Sequence, residues 1–111
     1  DACLRLIAGA IAGCSRRSED LAARYGGEEF GMILPHTDAA GALRLADAVR
    51  NAVAELGLMH LSSPTSAHVT VSIGAATFEP GEAPLSPNAI VHDADSALYR
   101  AKQKGRNRTS A

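Results

Sequence analysis

The chain has 111 residues, 46% hydrophobic and 21% charged, with 11 basic against 12 acidic side chains and a formal net charge of −1. That length is one domain with room for its own core. The balance excludes a disordered chain, a polybasic partner of nucleic acid or anionic membrane, and a membrane helix, since no apolar run approaches about 20 residues. Aromatic residues are only 4% and Trp is absent, so the core must be built from Leu, Ile, Val and Ala. The sequence opens at Asp1 with no Met and no signal peptide, which leads us to expect a piece of something longer.

Residues 2 to 13 repeat Leu4, Ile7, Ala8 and Ile11 at helical spacing, with Gly13 as a stop. Cys3 and Cys14 both lie in this pattern. At roughly 1.5 Å rise per residue they stand about 16 Å apart, beyond the ~7 Å that a disulfide tolerates, and free thiols fit a reducing cytoplasm. The four histidines, His36, His60, His68 and His92, show no metal-ligand spacing. Leu21 to Tyr25 and Phe30 to Leu34 read as strands joined in a hairpin at Gly26-Gly27, because tight two-residue turns need positive φ. Thr37 or Asp38 can cap a long helix over 38 to 56, whose apolar stripe is Ala42, Leu45, Ala46, Val49, Val53 and Leu56, with Gly57 at its end. Val69 to Phe78 alternates as the strongest strand. Ser86-Pro87 opens the last helix, which runs to about Lys104 before Gly105. The polar tail, 106 to 111, reads as a frayed end or an edge strand. Helix, hairpin, helix, strand, helix is an α+β order, with helices flanking an antiparallel-rich central sheet.

Three places carry chemistry. Gly26-Gly27-Glu28-Glu29 sets two carboxylates beside a bare turn. That arrangement suits Mg²⁺ held with phosphate oxygens, and it equally suits a solvated hairpin tip. Lys102 and Arg106 are four apart and would share a face if the helix extends that far. They could hold a triphosphate, or complement the helix dipole. Arg17-Ser18-Glu19-Asp20 offers a guanidinium and a carboxylate for phosphate or a guanine edge, or simply a surface ion pair.

Taken together, these residues resemble the GGDEF family, the diguanylate cyclase domain. Gly26-Gly27-Glu28-Glu29-Phe30 is the GGEEF form of its signature, preceded by Ala23-Arg24-Tyr25. Thr70-Val71-Ser72-Ile73-Gly74-Ala75 resembles its central strand motif. Asp93-Ala94-Asp95-Ser96-Ala97-Leu98-Tyr99-Arg100-Ala101-Lys102, with Gly105-Arg106-Asn107-Arg108, resembles its C-terminal helix motif. Three matches in the right order cover most of the chain.

The resemblance implies a nucleotide cyclase-like, polymerase-palm-like fold. It implies an enzyme that condenses two GTP into cyclic di-GMP with release of two pyrophosphates, at the interface of a homodimer. It implies Mg²⁺, or Mn²⁺, as cofactor. Carried over residue by residue, Glu28 is the metal ligand and candidate base, and Glu29 supports the metal or the ribose side. Gly26 and Gly27 let the guanosine lie against the turn. Lys102 and Arg106 hold the β- and γ-phosphates, and Asp1 reads the guanine edge. Arg17 and Asp20 match the family's inhibitory Arg-x-x-Asp, which binds product and blocks the catalytic encounter. A second Arg of that site, found on the neighbouring helix in some members, falls here at Ala48, with Arg44 and Arg50 on other faces.

The family also opens with a central strand that bears a metal-binding Asp, followed by an Asn that contacts guanine. Neither is found from Asp1 onward, so 1–111 is expected to be a GGDEF domain that is N-terminally incomplete. An upstream sensory or receiver domain, a cytoplasmic location (alone or as part of a membrane-anchored protein) and no nucleic-acid partner or direct membrane insertion complete the expectation. The alternative is a catalytically silent module that binds GTP or cyclic di-GMP and regulates an attached domain.

Overall fold

The computed structural model describes residues 2–14, 21–26, 29–58, 68–78 and 86–111. The elements run α1 (Ala2–Cys14), β1 (Leu21–Gly26), β2 (Glu29–Ile33), α2 (Ala39–Glu55), β3 (Ile73–Gly74), α3 (Pro87–Gln103) and β4 (Thr109–Ser110). Ile7 and Ile11 fall on one stripe of α1, and Val49 and Val53 on one stripe of α2. The four meet as the core cluster of the two packed helices. Phe30 and Met32 from β2, and Val69, Val71 and Ile73 from the segment around β3, pack on the same cluster. Among the described residues Val53 is the largest side chain fully removed from solvent, and no polar residue is buried. Cys3 and Cys14 are both free thiols against this core.

The helix ends follow from their capping residues. Asp38 stands outside α2 with φ −81° and accepts a hydrogen bond from the Gly41 amide at 2.7 Å, pairing one of the orphan first-turn donors. Gly57 takes φ +62° just past the other end, where a side chain would be strained. Ser86 caps α3 by accepting from the Ala89 amide at 3.2 Å, with Pro87 in the first turn. Replacing Asp38 by Ala is expected to cost about 1 kcal/mol. For a domain of about 100 residues that lowers the melting temperature by roughly 4–8 °C, read by thermal denaturation, and Asp38→Asn should retain most of it.

The helices and small sheets give the expected α+β class. Among the described residues the sheet consists of two separate ladders. β1 and β2 pair antiparallel from Leu21↔Ile33 to Gly26↔Glu29, with a shift between Arg24 and Gly26 that leaves Tyr25 unopposed. β3 and β4 pair parallel. The alternating segment expected as a strand from Val69 to Phe78 is ladder only at Ile73–Gly74, because its partner β4 is only two residues long. Ile73 donates to the Arg108 carbonyl at 3.0 Å and Ala75 to that of Ser110 at 2.9 Å, the even spacing of a parallel pair. The tail is thus an edge strand. Val69, Val71 and Ile73 still pack against the core.

β3, α3 and β4 form a strand–helix–strand crossover in which α3 lies directly on its own ladder. The residues of α3 that are fully buried are small, Ala97 and Ala101. At the crossing, a Cβ on Gly74 would collide with the Ala94 carbonyl oxygen and the Leu98 amide nitrogen, and would lie 2.8 Å from the Leu98 Cα. Gly74 is therefore required by the approach of two backbones.

Candidate functional site

The C-terminal end of α3 carries the densest charge, and its geometry differs from the simple helical face. The helix stops at Gln103. Gly105 turns with φ +120° and donates to the Lys102 carbonyl at 3.3 Å, while the Arg106 amide donates to the Ala101 carbonyl at 3.0 Å. This pair of reversed bonds is a Schellman cap. Arg106 thus lies beyond the helix, and its four-residue spacing from Lys102 is not a helical i,i+4 relation. The curl of the cap, through the bond to Ala101, keeps it beside the last turn nonetheless. Arg106 and Asn107 both adopt left-handed φ, +64° and +46°.

The basic residues here divide into two sets. Arg100 donates to the Ala111 carbonyl at 3.1 Å and Arg108 to the Arg106 carbonyl at 3.0 Å. Lys102, Lys104 and Arg106 are exposed and form no ion pair among the described residues. Three uncommitted cations around one capped helix end form a surface suited to an oligophosphate. Arg50, which the sequence places off the inhibitory position, comes to this end from α2: its Nη1 donates to the Asn107 carbonyl at 3.3 Å. No sequence signal finds a contact spanning 57 positions.

The hairpin is the second component. Gly26 and Glu29 form the last pair of the ladder, and the Glu29 side chain is exposed. Gly27 and Glu28, between them, lie outside the described residues, as do Asp1, Arg17 and Asp20. Among the described residues no three His, Cys, Asp or Glu side chains gather. The exposed Glu29 carboxylate is of a type that a divalent cation keeping its waters and taking phosphate oxygens accepts. Ala48 is exposed on α2, and Arg44 likewise. An open cleft of about 430 Å³, lined among others by Leu43, Thr77, Asp93, Ser96 and Arg100, includes none of the residues singled out above as catalytic, binding or inhibitory. Among the described residues no helix is long and apolar enough to cross a membrane.

The family model described as "Diguanylate cyclase, GGDEF domain" matches residues 1–108. Diguanylate cyclase A of Treponema denticola is 40% identical over 110 residues, covering 99% of this chain and 28% of that protein. Among solved structures, the coiled coil and GGDEF domain of DgcB from Caulobacter crescentus, in complex with c-di-GMP, is similar with a TM-score of 0.80 at 34% identity, covering 99% of this chain and 56% of that one. The active GGEEF domain of a diguanylate cyclase from Vibrio cholerae is similar with a TM-score of 0.80 at 27% identity, covering 99% and 66%. The chain therefore spans little more than a quarter of the length of that curated relative.

Proposed function

The chain belongs to the GGDEF family, and on that premise we propose that it is the catalytic domain of a diguanylate cyclase, joining two GTP into cyclic di-GMP and releasing two pyrophosphates. The observation that carries the reading is the set of uncommitted cations, Lys102 and Arg106 foremost, displayed at the capped end of α3. The signature residues Gly26, Glu29 and Phe30, on paired antiparallel strands, support it as well.

In this reading Gly26 and Gly27 leave room for the guanosine against the turn, and Asp1 accepts from the guanine N–H groups. Lys102 and Arg106 bind the β- and γ-phosphates, which orients the α-phosphorus and stabilises the departing pyrophosphate. Glu28 takes the proton of the attacking 3′-hydroxyl and, with Glu29, would hold Mg²⁺ or Mn²⁺. When bound, the metal supplies charge neutralisation at the phosphate oxygens. The hydroxyl comes from the GTP of a second subunit, so catalysis belongs to a homodimer brought together by an attached sensory or receiver domain. Arg17 and Asp20 bind the product and give feedback inhibition, a coupling between two distinct sites.

We also read 1–111 as the larger part of one domain, completed by an upstream strand between the two ladders. Both ladders lean on the same helix pair yet share no backbone pairing among the described residues.

The test is to incubate the full-length protein with GTP and Mg²⁺ and to separate the products by chromatography. A cyclic di-GMP peak is expected, with specific activity that falls when the protein is diluted roughly a hundredfold, because the dimer dissociates by mass action. GTP binding without product, in a protein shown to dimerise, would replace the enzyme with a regulatory GTP-binding module. Absence of GTP binding would remove the enzyme, and absence of cyclic di-GMP binding as well would remove the silent module.

A further inference from the structure

We propose that Arg50, on α2, is a positioning residue for Arg106: it holds the left-handed turn that aims the Arg106 guanidinium at the substrate's phosphates. The proposal rests on the reading of Arg106 as a phosphate ligand.

Two consecutive non-glycine residues, Arg106 and Asn107, have positive φ. Asn visits this region readily, Arg rarely. Such conformations persist only where the surroundings over-determine them, and they concentrate at ligand clamps. The surroundings here are explicit. The Schellman bonds fix the entrance to the turn through the amides of Gly105 and Arg106. The carbonyl of each strained residue is then gripped by a guanidinium: that of Arg106 by Arg108 Nε at 3.0 Å, that of Asn107 by Arg50 Nη1 at 3.3 Å.

The first of these grips is local and moves with the turn. The second comes from a different helix, and so ties the turn to the core. Arg50 is suited to this task. It is half-buried, on a helix that meets β4. Asp47 one turn earlier accepts from its Nη2 at 3.4 Å and orients the fork. Its Nε is buried and has no hydrogen-bond partner among the described residues, so the side chain's principal long-range bond is the one to Asn107. A planar fork fixed at both ends transmits position better than a flexible ammonium. The consequence is specific to the phosphate tail: the guanosine end of the nucleotide does not reach through Arg106.

The experiment uses the full-length protein with 3′-deoxy-GTP, which lacks the attacking hydroxyl and is not turned over, and with GMP, which lacks the β- and γ-phosphates. Arg50→Met is expected to weaken 3′-deoxy-GTP binding about tenfold and to leave GMP binding within about twofold, a size that couplings between interacting residues reach. Arg106→Met should do the same, and the double variant should lose no more than the stronger single variant. Arg50→Lys keeps the charge without the fork; it is expected to lose several-fold in 3′-deoxy-GTP alone, and it carries the test if the Met variant does not fold. A lowered melting temperature with an unchanged ratio of the two affinities would overturn the proposal, and so would fully additive losses in the double variant. An unchanged ratio in Arg106→Met would instead remove the phosphate reading of Arg106, and the proposal with it.

Discussion

Gly74→Val is expected to abolish cooperative folding of the domain. The helix that crosses β3 presents backbone, not side chain, to position 74, and the first carbon of any side chain collides there with the Ala94 carbonyl and the Leu98 amide. A crowded side chain can change rotamer; a helix backbone must move as a whole. Overpacking of ordinary cores costs about 1–3 kcal/mol. With backbone on both sides the cost should exceed that range, against a total stability of about 5–15 kcal/mol. Relief would require α3 to lift from its ladder, uncovering Ala97 and Ala101 and carrying the cationic end away. Loss of the thermal transition by circular dichroism should therefore accompany loss of GTP binding. Gly31→Ala is the control, since a Cβ at Gly31 meets nothing within 4 Å. A Gly74→Val protein melting within a few degrees of the parent would mean that α3 sits elsewhere.

On the proposed role of Glu28 as base and metal ligand, Glu28→Ala should leave the fold untouched and lower the rate of cyclic di-GMP formation by about a hundredfold or more, the usual contribution of a positioned base. Gly26 and Glu29, on either side of position 28, are paired through the backbone of the ladder. GTP affinity should fall much less, because on the proposed roles Lys102 and Arg106 would grip the other end of the nucleotide. The contrasting variant is Lys102→Ala, in which the loss should sit chiefly in KM. Turnover of Glu28→Ala within about twofold of the parent would take that residue out of the reacting centre; the threshold is far below the expected effect of losing a base.

Helices α2 and α3 were the legible part of the fold, because both have their own punctuation, whereas α1 runs through its expected stop at Gly13 to Cys14. Asp38, Gly57, Ser86, Pro87 and Gly105 act within a few residues of themselves, so local sequence suffices to place the ends. Strand extent was not legible. Whether Val69 to Phe78 forms two ladder residues or ten depends on the length of a partner near the other end of the chain. The glycine in an alternating apolar run was a readable sign of close backbone approach, though not of which element approaches. At the site, the motif pointed to Lys102 and Arg106, but a helical relation between them does not hold, since the Schellman cap ends the helix first. Arg50 was invisible because its partner is a carbonyl, and every residue carries one.

Among the described residues Val53 is the largest wholly buried side chain and α3 buries Ala97 and Ala101 wholly, and the total stability of a domain this size is about 5–15 kcal/mol. A ligand that binds only the folded form then becomes a substantial share of the stability: about 2.7 kcal/mol at a free concentration a hundredfold above its dissociation constant. On the reading that GTP is that ligand, nucleotide supply sets how many copies of the domain stand folded as well as how fast each one turns over.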